Sequence, residues 1–107
     1  MRSEMIHQLR PYQLTEEGKT EFEHRFRDHA ARIMQRYGFN ILGAWQGTGT
    51  DDSEFLYLLE WPDEAAMKSG WEGFLADEEW LSVRSSAKLV NAIQDRYLSP
   101  VALPPTT

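Results

Sequence analysis

Apolar residues recur along this chain with two periods, and the switches between them mark out six elements. From Met5 to Leu14 the pattern is two-sided: on a strand, Ile6, Gln8, Arg10 and Tyr12 point one way and His7, Leu9 and Pro11 the other. Pro11 has no amide hydrogen and suits a strand edge or end. Thr15 carries an oxygen that can cap a helix, with Glu16 and Glu17 in its first turn. Phe22, Phe26, Ala30, Ile33 and Tyr37 follow at three- and four-residue steps, opposite Glu21, Arg25, Asp28, Arg32 and Gln35. That spacing predicts an amphipathic helix, closed by Gly38. Phe39 to Gln46 reads as a second strand, with Ile41, Gly43 and Trp45 on one face, and residues 47–53 are a hairpin loop by composition. Phe55 to Trp61 is a run whose sole charge is Glu60, too apolar to leave a face in water, and Pro62 ends it. From Asp63, a capping residue, Met67, Trp71, Phe74 and Leu75 form one apolar stripe; Asp77 repeats the cap and the helical pattern runs on through Trp80 and Val83 to about Leu89. In a last strand, Asn91 to Ser99, Ile93, Asp95 and Tyr97 alternate with Gln94, Arg96 and Leu98, and the proline-rich residues 100–107 form a tail.

The order β-α-β-β-α-β is the split βαβ arrangement of a ferredoxin-like α+β fold, a four-stranded antiparallel sheet with both helices on one face. The other face then needs cover. It is expected to carry Tyr57, Trp61 and Ile41 or Trp45 beside Gln8, Arg10 and Tyr12, an apolar patch that is a liability when bare. A second copy is the simplest cover, giving a homodimer with its two sheets face to face, with further association of dimers left open.

Composition narrows the function classes. At 107 residues the chain is expected to be one domain, with its core at about 5–99. A formal charge of −6 argues against a nucleic-acid partner, since phosphate contacts need a basic surface. With no cysteine there is no disulfide, thiol nucleophile or thiolate metal site. No segment has the apolar length of a membrane span or signal peptide, so the cytoplasm is the default expectation.

The segments LRPYQL, GFNILGAW, FLYLLEWPDEAA and WEGFLADEEW together resemble the NIPSNAP domain, over about Met5 to Ser99. The most specific part is Trp71-x-x-Phe74-x-x-Asp77-x-x-Trp80, similar to the family's W-x-x-F-x-x-D-P-x-W with Glu78 in place of proline. The opening strand resembles the family's E-L-R-x-Y at Gln8, Leu9, Arg10 and Tyr12, with glutamine where the family has an acid. The resemblance implies ferredoxin-like subunits paired as a dimeric α/β barrel, and no established enzyme activity comes with it.

Among candidate site residues, Arg10 and Tyr12 share a strand face, a guanidinium fork beside a phenol that can anchor an anion or a carbonyl. The structural alternative is an ion pair or hydrogen bond to Asp95, Glu60 or a partner chain. His29 lies at the margin of the first helix's stripe and can carry a proton near neutrality, or be a half-buried histidine with a satisfied hydrogen bond. Trp45, Tyr57 and Trp61 are candidate walls for a flat apolar ligand, or else core and interface. His24 and His29, five apart, do not share a helix face, so no metal site is expected, and no cofactor motif is present. Two readings remain: a dimeric module binding a small ligand or a protein, and a cofactor-independent monooxygenase-type enzyme for an aromatic or polycyclic molecule. In the second, Arg10, Tyr12 and His29 would converge on a continuous cavity.

Overall fold

The computed structural model describes residues 5–47, 54–84, 90–93 and 95–102. The elements are β1 (Ile6–Leu14), α1 (Lys19–Arg25), a π-helical turn (Phe26–Ala30), α2 (Ala31–Gln35), β2 (Asn40–Gln46), β3 (Glu54–Trp61), α3 (Glu64–Ala76), α4 (Glu78–Val83), β4 (Val90–Ile93) and β5 (Arg96–Leu98). The antiparallel sheet runs β2-β3-β1-β4, and β5 also pairs with β1. The fourth position expected for Asn91–Ser99 is therefore filled by two short strands, and the ferredoxin-like order holds. Residues 48–53 of the predicted hairpin loop, the predicted helix extension over 85–89 and the tail beyond 102 lie outside the described residues.

The first helix starts later than its sequence suggests. Thr15 closes a turn by accepting from the Gly18 amide, and helical hydrogen bonding begins at Lys19 without a side-chain cap. The helix continues through the π-helical turn into α2, and Gly38, at φ +85°, ends it in the left-handed region that glycine adopts without strain. Phe22 and Phe26 pack their rings on Tyr12, Phe55 and Tyr57 at centroid distances of 4.7–5.3 Å.

Those contacts reverse the expected sense of the sheet. Tyr57 and Trp61, each 1% exposed, belong with Tyr12 and Gln8 to the face that the helices cover. The open face carries the directly paired His7 and Glu60, Leu9 and Leu58, and Pro11 and Leu56. Both faces of β3 are apolar, and the larger aromatic side chains took the helical side, where they bury the most surface. Ile41 and Trp45 also part company. A register shift between Ile41 and Gly43 puts Ile41 opposite Leu59 on the helical side, and Trp45 opposite Leu56 on the open side, where it is 51% exposed.

α3 lies close on the sheet at Gly70. A Cβ on Gly70 would come within 2.7 Å of the Trp61 ring and 2.9 Å of the Tyr37 carbonyl oxygen. Gly70→Ala is therefore expected to destabilise the fold by about 1–3 kcal/mol, as overpacking does, despite alanine's better helix propensity. A urea midpoint at or above wild type would show that α3 can move away.

The Trp71-x-x-Phe74-x-x-Asp77-x-x-Trp80 spacing is a fastening. Trp71 packs on Phe39 and Phe74, and Phe74 on Trp80. Asp77 caps α4 by accepting from the Trp80 amide at 2.8 Å, and its other oxygen accepts from Tyr37 and Arg36 at the end of the first helix. Beside it, Glu79 accepts from Arg32 and Arg36. Those two guanidinium groups hold the Glu79 carboxyl at about 2, below its ordinary 4.5, and hydrogen bonds from Tyr37 and the Trp80 amide lower Asp77 in the same direction. A carboxyl lowered in the folded state contributes stability that is complete above its unfolded value and lost on acidification. The melting temperature is thus expected to fall between about pH 4.5 and 2. An Arg32→Ala, Arg36→Ala double variant should show a shallower acid limb; an unchanged limb would assign it to other carboxyls.

Candidate functional site

A groove of about 840 Å³ runs between α3 and the β1–β5 edge of the sheet. Its two sides follow from two periodicities. On β1, alternation aims Ile6, Gln8 and Arg10 towards the helices, while on α3 the helical repeat brings Met67, Trp71 and Leu75 to the facing side. Pairing of β5 with β1 sets Tyr97 directly opposite Gln8, and Asp95 lies beside Arg10. Glu64, Lys68 and Glu72 of α3 also line the groove.

Gln8 is the buried centre of its polar end, 2% exposed. Its Oε1 accepts from the indole Nε1 of Trp61 at 3.0 Å and of Trp71 at 2.9 Å. An indole N–H can only donate, so the pair fixes the amide orientation and turns Nε2 towards Asp95 Oδ2, 3.4 Å away. A glutamate, as the family pattern has at this position, could accept from both indoles when ionised but could not then donate to Asp95.

Arg10 is the electrostatic centre. Its Nη1 donates to both Asp95 oxygens at 2.6 and 2.7 Å, and Nη2 donates to the Tyr12 hydroxyl at 2.7 Å. The guanidinium carbon lies 4.4 Å from the centroid of the Trp71 ring, within the range of a cation–π contact. Nε is buried with no hydrogen-bond partner among the described residues. Burial works against the Arg10 charge, but Tyr12, Tyr57 and Asp95 outweigh it and leave the guanidinium pKa raised. Behind Arg10 the Tyr12 and Tyr57 hydroxyls are 3.1 Å apart. Burial and then the Tyr12 neighbour push the Tyr57 phenol well up, so it stays neutral.

The residues singled out from sequence are distributed unevenly about this groove. Arg10 lines it, and its ion pair with Asp95 is present. Tyr12 and Tyr57 stand behind Arg10, and Trp61 stands behind Gln8. Trp45 is on the opposite face of the sheet. His29 belongs to the π-helical turn and is not among the lining residues; its Nδ1 is buried with no partner among the described residues. Gln8, Trp71 and Tyr97 are not among the site candidates read from the sequence, where Asp95 figures only as a structural partner for Arg10. The alternation that puts Ile93, Asp95 and Tyr97 on one face of the last strand is the signal that could have placed Tyr97 with Asp95 at this site. Among the described residues no group of three His, Cys, Asp or Glu could hold a metal ion, and no helix is long and apolar enough to cross a membrane.

The comparisons with known proteins speak to the fold that carries this groove. The NIPSNAP family pattern matches residues 7–105. The chain belongs to the NIPSNAP family. No curated protein matches it. A NIPSNAP-like domain protein from Burkholderia xenovorans shares the fold at a TM-score of 0.84 and 20% identity, covering 98% of this chain and 92% of its own. A NIPSNAP family protein of unknown function from Agrobacterium tumefaciens superposes at 0.83 and 16% identity, over 98% and 96% of the two chains. SnoaB, a cofactor-independent oxygenase from Streptomyces nogalater, is similar at 0.64 and 16% identity, over 97% and 100%. At these identities the likenesses describe the NIPSNAP fold and carry no chemistry.

Proposed function

We propose that this NIPSNAP protein is a homodimeric module that binds a small, flat organic molecule in the α3–β1 groove without transforming it. The observation that carries this reading is the groove itself: apolar walls from Ile6, Met67 and Leu75, the Trp71 indole, and a polar cluster at one end. Apolar walls with a few convergent polar groups are the ordinary make-up of a small-molecule site. The dimer is supported by the open face, where Leu9, Leu56 and Leu58 are incompletely covered and Trp45 is about half exposed. A closed two-fold pair of sheets would cover that patch and form the barrel, leaving each groove on the outer, helical side of its own sheet.

The monooxygenase-type reading draws on the same groove and on the fold shared with the Streptomyces nogalater oxygenase. Arg10 could polarise a carbonyl, but Tyr12 stands behind it and His29, the proton carrier of that reading, does not line the groove. Binding is therefore the better-supported function. The test is a fragment screen of aromatic compounds, read from tryptophan indole resonances of labelled protein. The expected result is that binders shift the Trp71 indole and leave Trp45 in place. Binders that shift Trp45 alone would locate the site on the open face.

A further inference from the structure

The polar end of the groove has the make-up of a carboxylate receptor that already holds a carboxylate. Donors from three side chains converge on Asp95: Arg10 Nη1 on both oxygens, and Gln8 Nε2 and the Tyr97 hydroxyl on Oδ2 at 3.4 and 3.3 Å. The Gln8 donor cannot turn away, because Trp61 and Trp71 hold its oxygen on the other side. The receptor is thus built from the largely buried Gln8 and Arg10 of β1 and the exposed Tyr97 of β5, while the carboxylate it holds comes from the sheet edge, with its side chain about a quarter exposed.

We propose that the groove takes an aromatic carboxylic acid whose carboxylate displaces Asp95 from Arg10, Gln8 and Tyr97, so that Asp95 acts as a built-in competitor for the site. This inference rests on the groove being the ligand site and names the ligand's head group. A planar carboxylate can use the donors that Asp95 uses now, and Arg10 keeps its other bond to Tyr12 throughout. The ring of the ligand packs against Trp71, which lies 4.4 Å from the Arg10 guanidinium carbon, and against the apolar Met67, Leu75 and Ile6 that line the groove with it. Displaced, Asp95 turns to water at the sheet edge, where its charge is solvated. An amide or an alcohol head group has no full charge to exchange for that of Asp95, so it competes less well.

The experiment titrates wild type and Asp95→Asn with a naphthalene carboxylate and with its primary carboxamide, following the Trp71 indole resonance. Asparagine keeps the size of the side chain and removes the competing charge. The expected result is that the carboxylate binds wild type, binds Asp95→Asn about tenfold more tightly, and outcompetes the carboxamide on both. Carboxylate affinity that is equal or weaker in a folded Asp95→Asn overturns the inference, as does a carboxamide that binds wild type as well as the acid. In those cases a shifted Trp71 resonance leaves the groove standing as a ligand site with a different head group. If neither probe moves Trp71 in either protein, the carboxylate receptor is excluded, and the fragment screen decides the groove separately.

Discussion

Trp61→Ala is expected to destabilise the protein by about 3–5 kcal/mol, the range for truncating a large aromatic side chain in a core. Trp61 is 1% exposed, its ring lies 4.7 Å from that of Phe39, and the backbone of α3 approaches it at Gly70. Truncation opens a cavity where the helix has no side chain to fill it. It also removes one of the two indole donors that orient Gln8. The loss should appear in chemical denaturation as a lower midpoint with an unchanged slope. A midpoint near wild type would contradict the placement of Trp61 beneath α3.

In the proposed face-to-face dimer, Leu58→Glu should yield a folded monomer. Leu58 faces Leu9 across β1 and Gly43 across β2 on the open side, so in a face-to-face pair it lies within the interface, where an unpaired carboxylate is costly to bury. In the single chain the same position is only partly buried, and the charge can reach water. The contrast is with Tyr57, one residue earlier. Tyr57→Glu places the charge in the core among Tyr12 and Phe26 and should unfold the chain instead of merely separating the proposed dimer. Sedimentation together with circular dichroism distinguishes the two outcomes. A Leu58→Glu variant that remains a stable dimer would move the interface elsewhere.

That one-residue contrast also shows what was legible in the sequence. Strand period, helix stripe and element order were readable because each depends on local spacing. The side of the sheet that faced inward was not readable, because Phe55, Tyr57, Leu59 and Trp61 alternate with Leu56 and Leu58, and hydrophobicity alone does not choose between two apolar faces. Packing chose, through the rings of Phe22 and Phe26. The split of Ile41 from Trp45 was hidden for another reason: a register shift displaces a residue by one position and leaves no clear mark in composition. Arg10 stood out as a guanidinium beside a phenol, and Asp95 as a partner for it. Gln8 stood out only as a departure from the family's acid. Its role appears when Trp61 and Trp71, from two separate elements, both donate to its oxygen.

The measurement that tests the proposed function most directly is a crystal structure of the purified protein grown with the best binder from the fragment screen. Density for that molecule against Trp71, with the Leu58 faces of two chains in contact, is the expected result. A binder elsewhere, or a second chain filling the α3–β1 groove while the Leu58 face stays open to water, would contradict it.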